Sequence, residues 1–167
     1  MSRRPDPIPG DGASVDRGAA AEDARRLLAG LPDRVRVRVE NPRGSFVKHL
    51  GDGRLDYVSP LPCPFNYGCL PERIGGDGFP LDALILGPRR RAGETVELAV
   101  LGVVGFVDLG EPDHKVVCGE PPLRAVDRVA IAAFFAVYPW LKRGLARLRG
   151  DPRPTIHLGW FPRGTPG

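Results

Sequence analysis

Apolar and charged residues alternate most strictly over residues 34–40, where Val35, Val37 and Val39 fall on one side and Arg34, Arg36 and Arg38 on the other. A period of two predicts a half-buried strand. Shorter runs with strand character follow at 46–50, 55–58, 83–86, 95–100, 103–107 and 115–118, and residues 155–158 predict a last one. Gly and Pro separate these runs. Many short strands with turn signals between them predict a closed or nearly closed barrel, not alternating strand–helix units. Helical spacing is sparse. Residues 19–31 predict one short helix closed by Gly30 and Pro32. After Pro121 and Pro122, the apolar positions Val126, Val129, Ala133 and Val137 predict a second, which Pro139 should kink or split before Leu145 and Leu148 continue it. The expected class is α+β and mainly β.

Residues 1–18 are rich in Gly, Pro, Asp and Arg without a hydrophobic period, so a disordered tail is expected there and a single domain over 19–167. With 167 residues, 42% of them hydrophobic, the chain can bury a core without disulfides or a structural metal. The apolar uncharged run 129–141 falls short of the about 20 residues of a spanning helix, and no apolar stretch follows the first arginines. No membrane partner is expected. Cys63, Cys69 and Cys118 are an odd set without Cys-x-x-Cys spacing, which suits a reducing cytoplasm. The net charge of +4 and a pI near 9.3 come from cations scattered among acids, so no nucleic-acid partner is expected from charge.

The acids in the middle of the chain carry the candidate chemistry. Asp77 and Asp82 bracket Gly-Phe-Pro-Leu, and Asp108 and Asp113 bracket Leu-Gly-Glu-Pro, each pair where a strand meets a loop. If both rims converge, the crowded carboxylates repel one another until a hard divalent cation, Mg²⁺ above all, relieves them. The plainer reading stays open. Gly-Asp-Gly recurs at 10–12, 51–53 and 76–78 and makes a good turn, and aspartates commonly cap strands and turns.

Longer motifs add to this. Val39-Glu40-Asn-Pro-Arg-Gly-Ser-Phe-Val-Lys48, Pro64-Phe-Asn-Tyr67-Gly68, Asp77-Gly-Phe-Pro80-Leu-Asp82 and Asp108-Leu-Gly-Glu-Pro-Asp113-His-Lys115 resemble, in order and spacing, the soluble family I inorganic pyrophosphatases. The similarity continues through Phe134-Phe135-Ala-Val-Tyr138 and Gly159-Trp160. It implies a small five-stranded OB-like β-barrel with flanking C-terminal helices that hydrolyses pyrophosphate to two phosphates with Mg²⁺. It further implies that Asp77, Asp82 and Asp113 are metal ligands, Asp108 a ligand to a further metal and Glu40 a peripheral one. Lys48, Tyr67, Lys115 and Tyr138 match phosphate-binding positions. Only three lysines occur, Lys48, Lys115 and Lys142, and two of them fall on these positions. Bacterial members are commonly hexameric, so a homo-oligomer is expected.

The chain also departs from the family pattern. Phe79 stands where a further aspartate usually serves as general base, Leu50 replaces a glutamate, Cys63 a tyrosine and Pro139 a lysine. The substrate arginine becomes Arg54 only after a one-residue shift, Leu55 being at the strict count. Lys142, four residues after Tyr138, falls on the same helical face and is a substitute for the missing lysine. Asp113 is the nearest substitute base. Mg²⁺-dependent pyrophosphate hydrolysis, slow or altered in substrate, is therefore expected first, a non-catalytic protein binding phosphate compounds or a protein partner second, and an OB-like nucleic-acid binder third.

Overall fold

The Val35, Val37 and Val39 side of the first strand turns inward and its arginines turn out, as the alternation requires. In the computed structural model, residues 15–49, 55–58, 62–76, 78–148, 150 and 153–164 are described, with backbone only for 47–49, 55–58 and 145. The tail expected over 1–18 falls mostly outside them, and helix α1 (Arg17–Gly30) opens on Asp16, whose carboxylate accepts from the Gly18 and Ala19 N–H groups. The strands are β1 (Arg34–Asn41), β2 (Val47–His49), β3 (Leu55–Val58), β4 (Asn66–Ile74), β5 (Pro80–Ile85), β6 (Thr95–Asp108), β7 (Glu111–Pro112), β8 (Lys115–Gly119) and β9 (Ile156–Pro162), with helix α2 (Ala125–Leu148) before the last.

Strands β1, β4, β5, β8 and β6 pair in that order, and β6 returns to β1, closing a five-stranded barrel. All these pairs are antiparallel except β5 with β8. Closure removes the edges that an open sheet would expose. The interior is filled by Val35, Val37, Val39, Leu70, Ala83, Ile85, Leu98, Val103 and Val116, with Ala24 and Leu31 of the α1 segment joining it. A second apolar layer covers the outer face, where Leu84, Val104, Phe106 and Val117 meet Ile131 and Phe135 of α2. This outer layer positions the site.

Three elements differ from the sequence reading. Strand β4 was not expected, because Gly68 and Pro71 interrupt its pattern; its register slips between Leu70 and Ile74, around the proline. The runs 95–100 and 103–107 are one strand, β6, bulged between Val100 and Gly102. The bulge lets its first half pair with β1 and its second with β9. Pro139 neither splits nor ends α2, which is one helix of 24 residues. Phe134, Phe135 and Tyr138 pack around Phe65 and Phe106 just before the proline and hold that turn against the barrel. By length and composition α2 is also apolar enough to cross a bilayer, since such a window tolerates the charges that ended the uncharged run. Here its Ile131 and Phe135 are buried on the barrel.

Candidate functional site

The register of three strands brings distant acids and bases together. Parallel pairing of Ala83 with Val116 sets Asp82 beside Lys115 on neighbouring strands. Antiparallel pairing of Cys69 with Asp82 places Tyr67, two residues earlier, on the diagonal, within reach of a long side chain. The Lys115 ammonium bonds Asp82 Oδ2 directly and Asp113 Oδ1 at 2.6 Å, and the Tyr67 hydroxyl donates to the same Asp82 oxygen. Asp113 is itself fixed by its N–H, which donates to the Phe106 carbonyl at 2.9 Å.

Burial and charge oppose each other here. The Lys115 side chain is only 4% exposed, whereas Asp82 and Asp113 keep 27% and 33%. Burial works against the Lys115 charge, but the two carboxylates outweigh it and raise its pKa above the ordinary lysine value. Burial first, then the charges of Asp82 and Asp113, hold the Tyr67 phenol well above its usual range, so it stays a donor. The result is a fixed ammonium and a fixed hydroxyl behind two carboxylates that face water.

A second group lies at the end of β6. Leu109 and Gly110 both take positive φ, which is what a two-residue turn between β6 and β7 demands, so Asp108 is set at the turn. Thr155 donates to Asp108 Oδ1 at 2.8 Å, and the Lys142 ammonium of α2 lies 2.5 Å from Oδ2. Tyr138, one turn before Lys142, stacks on Phe134 with ring centroids 5.0 Å apart and is close enough to Tyr67 to affect its ionisation. On the other side, Glu40 pairs with Arg38 at 3.3 Å, and the same Arg38 nitrogen lies 3.7 Å from the Cys69 sulfur. Burial and the Glu40 charge push that thiol up to about 11.

Of the residues expected from sequence, the structure brings Tyr67, Asp82, Asp113 and Lys115 into one cluster and Asp108 with Lys142 into another. Glu40 stands beside Cys69, the strand partner of Asp82. Asp77 and Arg54 lie outside the described residues, as does the side chain of Lys48, whose backbone pairs with Tyr57. Thr155 and Arg38 were missed. No spacing signals Thr155, since its partner is 47 residues away. Phe79 is 69% exposed in the β4–β5 turn. Among the described residues no three His, Cys, Asp or Glu side chains gather as a cation cage. What does gather suits a hard cation in kind: all-oxygen donors, partly open to water, two of them close enough to share one ammonium.

Comparison with known proteins agrees with the fold. The inorganic pyrophosphatase family model matches residues 37–141. An inorganic pyrophosphatase of Saccharolobus solfataricus is 34% identical over 94 residues, covering 52% of this chain and 55% of that protein. One from Neisseria meningitidis serogroup A is 38% identical over 92 residues, covering 50% and 52%. The chain thus spans about half the length of the relatives it matches in sequence. The crystal structure of an inorganic pyrophosphatase from Thermus thermophilus superposes with a TM-score of 0.66 at 25% identity, covering 80% of this chain and 85% of that one. With its barrel, its outward-facing acids and a family match over most of its length, the chain belongs to the inorganic pyrophosphatase family.

Proposed function

We propose that the protein hydrolyses inorganic pyrophosphate to two phosphates with the help of Mg²⁺. The observation that carries this is the pair Asp82 and Asp113, held on the buried Lys115 beside Tyr67. Glu40, Asp77, Asp82, Asp108 and Asp113 would hold the divalent cations, which when bound neutralise the polyanion and make a coordinated water more acidic. The chain's own cations do the rest. Lys115, Lys142, Lys48 and Arg54 offer charge to the phosphate oxygens, and Tyr67 and Tyr138 offer hydroxyls, so the leaving phosphate is stabilised as it departs. Asp113, bonded to Lys115 through Oδ1, accepts the proton of the attacking water.

Phe79 removes the usual acceptor, and loss of a general base commonly costs about 10² to 10⁴ in rate. Turnover is therefore slow. The same residue, with Pro139, favours a second reading in which the site binds phosphate compounds without hydrolysing them. Phosphorus NMR of pyrophosphate with the protein and Mg²⁺ separates the two: orthophosphate should accumulate. No accumulation above that of an Asp82→Ala control contradicts hydrolysis.

Two further proposals concern the setting. The buried thiols Cys69 and Cys118, the latter pushed up to about 12 by burial, suit a reducing cytoplasm. Val126, Val129, Val137 and Trp140 recur at helical spacing on α2 and are exposed, which supports self-association. Sedimentation should find more than one chain per particle, and a Trp140→Glu substitution should reduce it.

A further inference from the structure

Both oxygens of Asp108 are already engaged by the chain, Oδ1 by the hydroxyl of Thr155 and Oδ2 by the ammonium of Lys142. Thr155 is 1% exposed and fixes the carboxylate rotamer, so Oδ2 is aimed toward α2. The ion pair is sheltered, with the Asp108 and Lys142 side chains 17% and 24% exposed. A divalent ion arriving at Asp108 therefore meets a cation in place, and two cations a few ångströms apart on one carboxylate repel strongly. Lys142 can leave without unfolding its helix, because its flexible stem carries the charge away from the backbone and a quarter of it already faces water.

We propose that Lys142 is a built-in competitor for the divalent cation at Asp108. It neutralises the carboxylate while that cation is absent and yields it when the cation binds, its ammonium then turning to a phosphate oxygen. The proposal rests on the reading of this face as a divalent-cation and phosphate site. It gives Lys142 a role that its position alone does not supply: it lies a full turn beyond Tyr138, with Pro139 at the next position after the tyrosine. It also couples the two ligands. A cation that displaces Lys142 frees an ammonium for substrate, and by reciprocity substrate that captures Lys142 tightens the cation.

The test is Mn²⁺ titration without substrate, reading free Mn²⁺ by electron paramagnetic resonance, on the wild type, Lys142→Met, Asp108→Asn and the double variant. Lys142→Met should tighten the weakest class of bound Mn²⁺ by about tenfold. Asp108→Asn should lose that class, and the double variant should match Asp108→Asn. Unchanged or weaker binding by Lys142→Met overturns the proposal, as does a full Mn²⁺ complement in Asp108→Asn. Should Asp108→Asn fail to fold by circular dichroism, the Lys142→Met arm decides alone, since that side chain is not part of the core. No Mn²⁺ uptake by any form counts against the cation site itself, whereas uptake that ignores Lys142 counts only against the competition.

Discussion

Lys115 is the residue on which the cluster turns, because its buried ammonium is what lets Asp82 and Asp113 stand together at neutral pH. Replacing it by Met leaves two carboxylates facing each other, and the protein should lose about 2 to 3 kcal/mol. This is at the low end for a broken ion pair because both acids still touch water. Since an ion that binds only the folded state stabilises it, millimolar Mg²⁺ should recover part of the loss in denaturant titrations of Lys115→Met. No recovery would speak against cation binding there. Tyr67→Phe removes one donor from Asp82 while Lys115 remains, so a cost of about 1 to 2 kcal/mol and a raised KM for pyrophosphate are expected, read by urea melts and steady-state kinetics. The chemistry of these residues was legible in the motifs that hold them, whereas their partners were not. Nothing in the spacing of Asp108 and Thr155 announces a hydrogen bond, because only the meeting of β6 with the chain before β9 creates it.

Strand β4 shows what an element needs in order to carry such residues. A Cβ added at Gly68 would lie 1.9 Å from the Arg38 carbonyl oxygen, so the irregular pairing of β1 and β4 depends on a missing side chain. Gly68→Ala should destabilise the fold by at least about 1 to 3 kcal/mol and lower activity along with it, since Tyr67 and Cys69 ride on that strand. Thermal melting and phosphate release on one preparation would check both. Asn66, fully buried on the same strand, accepts from the N–H groups of Arg43 and Arg90 and donates to the Ile85 and Pro88 carbonyls. Its four bonds tie the loops at this end of the barrel together. Alternation made β1 readable and glycine hid β4, though both are barrel strands, because a period-two pattern survives only where every inward position carries a side chain. Pro139 misled for a related reason. Its cost to a helix is real, but the aromatic packing that outweighs it comes from β6 and the segment before β4, far away in the chain.

At the scale of the molecule, burial favours the neutral ring at two histidines, His114, which is buried, and His157, which is half-buried. Burial lowers the pKa of His157 and of His114 below the ordinary value of 6.5, and His157 stacks on Phe135 with centroids 5.3 Å apart. A depressed folded pKa means that the stability these groups contribute is fully present above the unfolded value and is lost as pH falls through the folded one. The melting temperature should therefore fall as pH drops below about 6.5, and His157→Phe, which keeps the stack, should lessen the fall in calorimetry. An identical slope would assign the effect elsewhere. The closed barrel was legible from many short strands, but not which strand closes it: the 14-residue β6 bends at Gly102 to serve β1 and β9 in turn. Nor was the outer face as the seat of the site, since α2 and its aromatic layer define that face only once the chain is folded. The most direct measurement is anomalous diffraction from a crystal soaked in Mn²⁺ and a non-hydrolysable pyrophosphate analogue. Peaks within coordination distance of Asp82 and Asp113, with Lys115 and Tyr67 against the analogue, are predicted; density that leaves Lys115 bridging the two acids, with metal and analogue bound elsewhere or not at all, would contradict the account.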